Sequence, residues 1–295
     1  MTETKPLLSK LLSHRMRGYS NTEHAPSSFQ HVGDYPISYF EVDTRVSCDG
    51  VIFIYHDPTF TDIKGGRHRL GELNSSKIRT LRHPDGEPIA TLDQALYDFS
   101  KYSRPDQIFC IDIKDYGFES EHLDIVRSYN IEYKVVFVSW IPQSLYQLAQ
   151  LGCQSPLILS HWNLVGFGKF GFFVSRLLRS TLQGLGPFVF LGKERTRSSL
   201  NRYAHGYQHC LVTSDIPSDL LVTLNSSGGG ICVHTTMVKT SLIEYCKQNS
   251  LALWVFSIND VPGYKYWLNK EGVDVIFCDD APGVARSLET NISSI

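Results

Sequence analysis

The sequence predicts an α/β protein, a single (β/α)8 barrel over residues 1–295 with a small hairpin arm after the second strand and a long insertion after the fifth. Three observations carry this reading. Short β-rich runs alternate with amphipathic helical stretches along the chain. Eight such units fit a length of 295 residues. A doubly wound sheet would carry a glycine-rich G-x-G-x-x-G turn early in the chain, and none is present there.

The strand candidates, in order, are Leu11–His14, Tyr39–Thr44, Val51–Tyr55, Ile108–Ile113, Lys134–Val138, Leu157–Leu159, Gly230–Val233, Ala252–Ile258 and Val273–Phe277. Val51–Tyr55 is the extra member and forms the arm. Helical spacing of apolar residues marks Thr91–Ser100, Gln143–Leu151, Val238–Gln248 and Tyr264–Asn269; Leu92, Ala95, Leu96 and Phe99 show it best. One interval breaks the rhythm. Residues 161–228 are far longer than a barrel loop and helix need, and they are rich in Phe and Gly.

At 42% hydrophobic and 20% charged, the chain can bury a sizeable core and is neither disordered nor fibrous. Lys and Arg number 28 against 30 Asp and Glu, so no global excess points to nucleic acid. The average hides a basic island: between His161 and Gln208, Lys169, Arg176, Arg179, Lys193, Arg195, Arg197 and Arg202 face Glu194 alone. Phe170, Phe173, Leu177, Leu178 and Leu182 recur there at helical spacing. They fit either a helix packed on the barrel or a lid and peripheral membrane contact through 161–208. The seven cysteines are scattered, odd in number and form no C-x-x-C pair, as expected of reduced thiols in a cytoplasmic protein. Met1–Leu12 lacks the apolar core of a signal peptide, and no run reaches the roughly 18 apolar residues of a spanning helix. Oligomeric state is not legible.

The chemistry concentrates at strand ends. Ser13-His14-Arg15, Glu41-Val42-Asp43, Tyr55-His56-Asp57 and Ile111-Asp112-Ile113-Lys114 each place charged or imidazole groups where an apolar run finishes. In a barrel those ends form the catalytic mouth. Glu41 and Asp43 point to one side of their strand, as do Asp112 and Lys114, because strand side chains alternate. Glu41, Asp43 and Asp112 on one rim make a hard oxygen site suited to Mg²⁺ or Ca²⁺, while the thiols and paired histidines of a zinc site are missing.

In order and spacing these residues resemble the glycerophosphodiester phosphodiesterase family. His14-Arg15 stands for its H-R-G, Glu41-x-Asp43 for its E-x-D, His56-Asp57 for its H-D and Asp112-x-Lys114 for its E-x-K. Gly50 matches the turn of its K-D-G arm, and Thr91-Leu92-Asp93-Gln94-Ala95-Leu96 its P-T-L helix start. Val138-Ser139-Trp140 resembles the S-F that follows its fourth strand. Val255-Phe256-Ser257-Ile258-Asn259 resembles W-T-V-N, and Gly272–Asp279 its last strand. The likeness covers about residues 11–160 and 229–288. Met16 and Arg17 displace the glycine, Glu23-His24-Ala25 takes the place of E-N-T, Asp112 replaces a glutamate and Phe256 a tryptophan.

The resemblance implies a metal-dependent phosphodiesterase of lipid metabolism acting on a glycerophosphodiester or a similar small sugar or alcohol phosphodiester. His14 and His56 would be general acid and base, with Arg15 and Lys114 neutralising developing charge. Glu41, Asp43 and Asp112 would hold the divalent ion. Trp140, Phe256, Lys193 and Arg195 are the candidate substrate contacts. A transferase that passes the phosphoryl-alcohol group to a sugar or alcohol, and a barrel that binds without turnover, remain as alternatives.

Overall fold

Strand pairing closes a barrel. The computed structural model describes residues 7–160, 216 and 218–292. Its strands are β1 Leu11–Ser13, β2 Tyr39–Val46, β3 Ile52–Ile54, β4 Thr59–Thr61, β5 Arg67–Arg69, β6 Ile108–Ile113, β7 Val135–Ser139, β8 Leu157–Ser160, β9 Gly230–His234, β10 Ala252–Phe256 and β11 Val275–Cys278. Parallel pairing runs from β2 through β6, β7, β8, β9, β10 and β11 to β1. The seam then closes as Leu12 and Ser13 of β1 pair with Tyr39 and Phe40 of β2. This is the (β/α)8 barrel expected, with strand bounds moved by one or two residues.

Alternation sorts the strand side chains into two cores. Leu12, Cys110, Val136, Val138, Ile158, Cys232, Trp254, Val275 and Phe277 fill the barrel interior. Their strand neighbours, including Val42, Phe109, Ile111, Phe137, Leu159 and Ile276, pack outward with the helices. The inward set turns polar toward the C-terminal ends. Above Cys110 on β6 comes Asp112, and above Tyr39 on β2 come Glu41 and Asp43.

The helices Leu92–Tyr102, Pro142–Gln150, Thr240–Gln248 and Val261–Leu268 lie where the apolar spacing places them. Their starts carry ordinary signals: Thr91 caps the first, and proline opens the second and fourth. Glu119–Ser128 and Ala281–Ile292 are further barrel helices whose spacing did not single them out. Ser218–Ser226, inside the 161–228 interval, is the barrel helix between β8 and β9, with Leu220 and Leu224 buried. Residues 161–215, and with them the basic island, Lys193, Arg195 and the proposed membrane contact, lie outside the described residues.

The arm is larger than expected. β3 runs antiparallel to β2, and a second hairpin, β4–β5, follows it. Phe53, Phe60, Leu70, Ile78, Leu81 and Ile89 give this arm a small core of its own. Among the described residues no helix is long and apolar enough to cross a membrane.

Close strand approach fixes where β9 sits. A Cβ on Gly230 would stand 2.0 Å from the carbonyl oxygen of Ala252 on β10. Gly230→Ala should therefore destabilise the barrel by about 3 kcal/mol through forced strand separation. Urea unfolding checks this, and an unchanged midpoint would show that the sheet yields at no cost.

Candidate active site

Three carboxylates meet at the mouth on the β2–β6 side. One oxygen from each of Glu41, Asp43 and Asp112 lies within 4.8 Å of the others, and all three residues are buried. Lys114, two residues on from Asp112 and also buried, sits between them: its Nζ is 2.8 Å from Asp43 Oδ1 and 2.5 Å from Asp112 Oδ2. The ammonium lies 4.0 Å from the centre of the Trp140 ring, a cation–π contact that shields it from water. Arg15 closes the other side. Its backbone N–H donates to Glu41 Oε2 at 3.0 Å, and its Nε faces Asp43 Oδ2 at 3.1 Å.

Three buried acids against two cations cannot all ionise equally. Burial raises Glu41 well above the carboxylate range, and the charges of Asp43 and Asp112 add to this. Burial also pushes Asp112 up, to about 6, against the pull of Lys114. Asp43 goes the other way: Lys114, His56 and Arg15 outweigh its burial and hold it well below the usual range. Asp43 Oδ2 and Asp112 Oδ1 are buried and accept no hydrogen bond. Carboxylate oxygens gathered so closely, two of them accepting no hydrogen bond, fit a hard divalent cation.

Two imidazoles flank the carboxylates. His14 follows β1, and its Nδ1 is 2.7 Å from Asp279 Oδ1. That bond leaves Nε2 on the side of Glu41, 3.9 Å from Oε2. Asp279 is itself fixed: it accepts from Arg17 Nη1 and, at 3.0 Å, from Asn259 Nδ2, while its N–H donates to Asn259 Oδ1. His56, between β3 and β4, repeats the pattern with Nδ1 2.7 Å from Asp57 Oδ1. Burial lowers the pKa of both histidines, and their aspartate partners oppose the shift.

One cavity of about 320 Å³ joins these groups. His14, Arg15, Glu41, His56, Asp112 and Lys114 line one part of it, and Trp140, Ser160, Cys232, His234, Phe256, Ser257 and Phe277 line the rest. The structure thus gathers His14, Arg15, Glu41, Asp43, His56, Asp112, Lys114, Trp140 and Phe256. Sequence reasoning missed Asp279, although Phe277-Cys278-Asp279 ends an apolar run in polar groups as the other motifs do. It also missed His234 at the end of β9, whose ring packs edge-on to Phe256.

A profile of the glycerophosphoryl diester phosphodiesterase family matches residues 14–282. The chain belongs to this family. No curated protein matches it. Solved structures similar to it include a glycerophosphodiester phosphodiesterase from Parabacteroides distasonis, with 15% identity, TM-score 0.63 and coverage of 97% of this chain and 98% of that one. A phosphodiesterase from Oleispira antarctica in complex with the product sn-glycerol-3-phosphate has 17% identity, TM-score 0.62 and coverage of 97% and 99%. A glycerophosphodiester phosphodiesterase from Thermotoga maritima has 17% identity, TM-score 0.59 and coverage of 95% and 98%. Membership makes the chain a phosphoric diester hydrolase of the glycerophosphodiester phosphodiesterase type.

The departures from the family pattern have visible consequences. Arg15 and Met16 take left-handed φ of 55° and 52° without glycine, and the fully buried Met16 side chain holds that turn in place. Gly18 carries the displaced glycine at φ 82°. Glu23 pairs with Arg17 Nε at 2.8 Å. His24 is buried behind the carboxylates, where its Nε2 accepts the Asp43 N–H at 3.4 Å. Burial pushes its pKa down to about 3, so this imidazole is a neutral acceptor despite its nearness to the Asp43 carboxylate.

Asp279 raises the His14 pKa against burial. Asp279→Ala should therefore let the His14 ring titrate at lower pH than in the parent protein, followed by NMR of the ring proton. A midpoint that stays or rises would contradict the contact.

Proposed function

We propose that this protein is a divalent-metal-dependent phosphodiesterase that cleaves a glycerophosphodiester, or a similar small sugar or alcohol phosphodiester, by histidine acid–base catalysis. The observation that carries the reading is the convergence on one cavity of two aspartate-bound imidazoles and a cluster of three buried carboxylates, of which Glu41 and Asp112 line it. The glycerol phosphate product in the structurally similar Oleispira antarctica phosphodiesterase supports the substrate class.

A phosphodiester resists attack because its anionic oxygens repel nucleophiles and its alcohol leaves poorly unless protonated. One imidazole takes the proton of the attacking hydroxyl while the other gives a proton to the departing alcohol oxygen. Each aspartate at Nδ1 holds its ring in one tautomer, presenting Nε2 to the reaction, and favours the imidazolium when it forms. Glu41, Asp43 and Asp112 would hold Mg²⁺ or Ca²⁺. That ion would polarise the phosphoryl oxygens and lower the pKa of the attacking hydroxyl. Arg15 and Lys114 fix the carboxylates and add positive potential beneath the phosphate. Trp140 and Phe256 are the substrate contacts within the described residues. The six described cysteines are free thiols, which supports a reducing, cytoplasmic setting.

His14→Ala and His56→Ala should each lower kcat by about 10²- to 10⁴-fold in folded protein. EDTA should abolish hydrolysis of glycerophosphocholine or glycerophosphoinositol, and Mg²⁺ or Ca²⁺ should restore it, but not in Asp43→Ala. Full activity in either histidine variant would overturn the acid–base assignment. Full activity in EDTA would overturn the metal dependence.

A further inference from the structure

Behind His56 lies a buried ion pair that the reaction chemistry leaves unused. Arg45 follows Glu41 and Asp43 on the same face of β2, since all three are separated by two. It is 2% exposed, among the largest fully enclosed side chains of the protein. Its Nη1 is 2.9 Å from Asp115 Oδ1, and Asp115, next to Lys114, is 4% exposed. Asp115 Oδ2 accepts the Val46 N–H at 2.9 Å. The guanidinium also turns toward the arm, where Nε donates to the carbonyl of His56 at 2.8 Å.

That last bond falls where the sheet stops. β3 pairs with β2 through Ile54 opposite Thr44, and the Tyr55 N–H still bonds to the Asp43 carbonyl at 2.9 Å. His56 is the next residue and has moved beyond the ladder. Its side chain hangs on a chain that turns away toward β4 and the separate core of the arm. Arg45 therefore ties the His56 backbone to two strand ends at once, that of β2 through its own Cα and that of β6 through Asp115. These strands bear Glu41, Asp43 and Asp112, and Lys114 directly follows β6.

A buried ion pair is a poor source of stability, because desolvation takes back much of the Coulomb gain. It is a good source of geometry, because two charges held by fixed partners allow few arrangements. We infer that Arg45 and Asp115 form a positioning strut that sets His56 against the carboxylate cluster. Arg45 does not enter the lining of the cavity. It acts through His56, so the inference rests on the acid–base reading above.

The test is a double-mutant cycle of Arg45→Met and His56→Ala, assayed with glycerophosphocholine in Mg²⁺ well below the melting temperature. A misplacement of a reacting group by about 1 Å lowers rates about 100-fold, so Arg45→Met should lose kcat on that scale with KM within about threefold. Arg45→Lys keeps the charge but has one nitrogen where Arg45 uses Nε for the His56 carbonyl and Nη1 for Asp115, and it should fall between. The double variant should be no slower than His56→Ala alone, as expected for residues acting as a unit. Lys134→Met is the control for destabilisation. Lys134 is buried and bonds to Ser103 Oγ at 2.6 Å and to the Arg104 carbonyl at 2.8 Å, outside the cavity, so its loss should lower the Tm and leave kcat unchanged.

Three outcomes overturn the strut. Arg45→Met could keep kcat within threefold of the parent. It could lose activity only in step with the folded fraction, as Lys134→Met does. Losses additive with His56→Ala would place Arg45's action elsewhere. An active His56→Ala would instead bring down the acid–base reading, and the strut with it.

Discussion

The mouth of this barrel is organised around negative charge that has been taken out of water. Glu41, Asp43 and Asp112 could not be buried so close together without compensation, because each isolated carboxylate carries a desolvation penalty of several kcal/mol. Lys114 and Arg15 supply part of it, and both are fixed in turn: Lys114 by the Trp140 ring, Arg15 by the left-handed turn after β1. Burial, with the remaining negative charge of Asp43 and Asp112, raises Glu41 toward its protonated form. A divalent cation is the natural replacement for that proton. The same field favours positive charge on His14 and His56, so the cluster bears on both imidazoles.

Much of this was legible in the sequence, and the reason is period two. Glu41-x-Asp43 and Asp112-x-Lys114 on apolar runs can only present both members to one face of a strand. The C-terminal ends of barrel strands converge, so the motifs reveal the cluster without coordinates. The eight barrel strands were legible for a related reason: each is short, apolar and bounded by polar or helical sequence. The helix Glu119–Ser128 was harder because it buries Glu119 and His122 beside Leu123 and Val126, which blurs its apolar stripe. β4–β5 escaped notice because Arg67-His68-Arg69 carries no apolar alternation at all.

The contacts that orient the site were not legible, because they are made across long sequence separations or through the backbone. Arg45 bonds a carbonyl, which leaves no trace in side-chain pattern. His24 sits in a stretch whose left-handed φ and complete burial no local propensity announces. Asp279 lies 265 residues from His14. Only the barrel register connects them: Ser13 pairs with Cys278, so the residues just beyond that pair emerge side by side.

That register gives the two histidines different dependences on the fold. His56 takes its aspartate from the next residue and hangs on an arm with its own small core, so its setting relies on the arm being held to β2. His14 takes its aspartate from the far end of the chain, and the contact exists only once β1 has closed the seam between β2 and β11. Asn259, just past β10, bonds to the same aspartate and draws a third strand end into the contact. A pair of imidazoles placed this way is complete only in a closed barrel. The pairing that finishes the fold is then also the step that finishes the site.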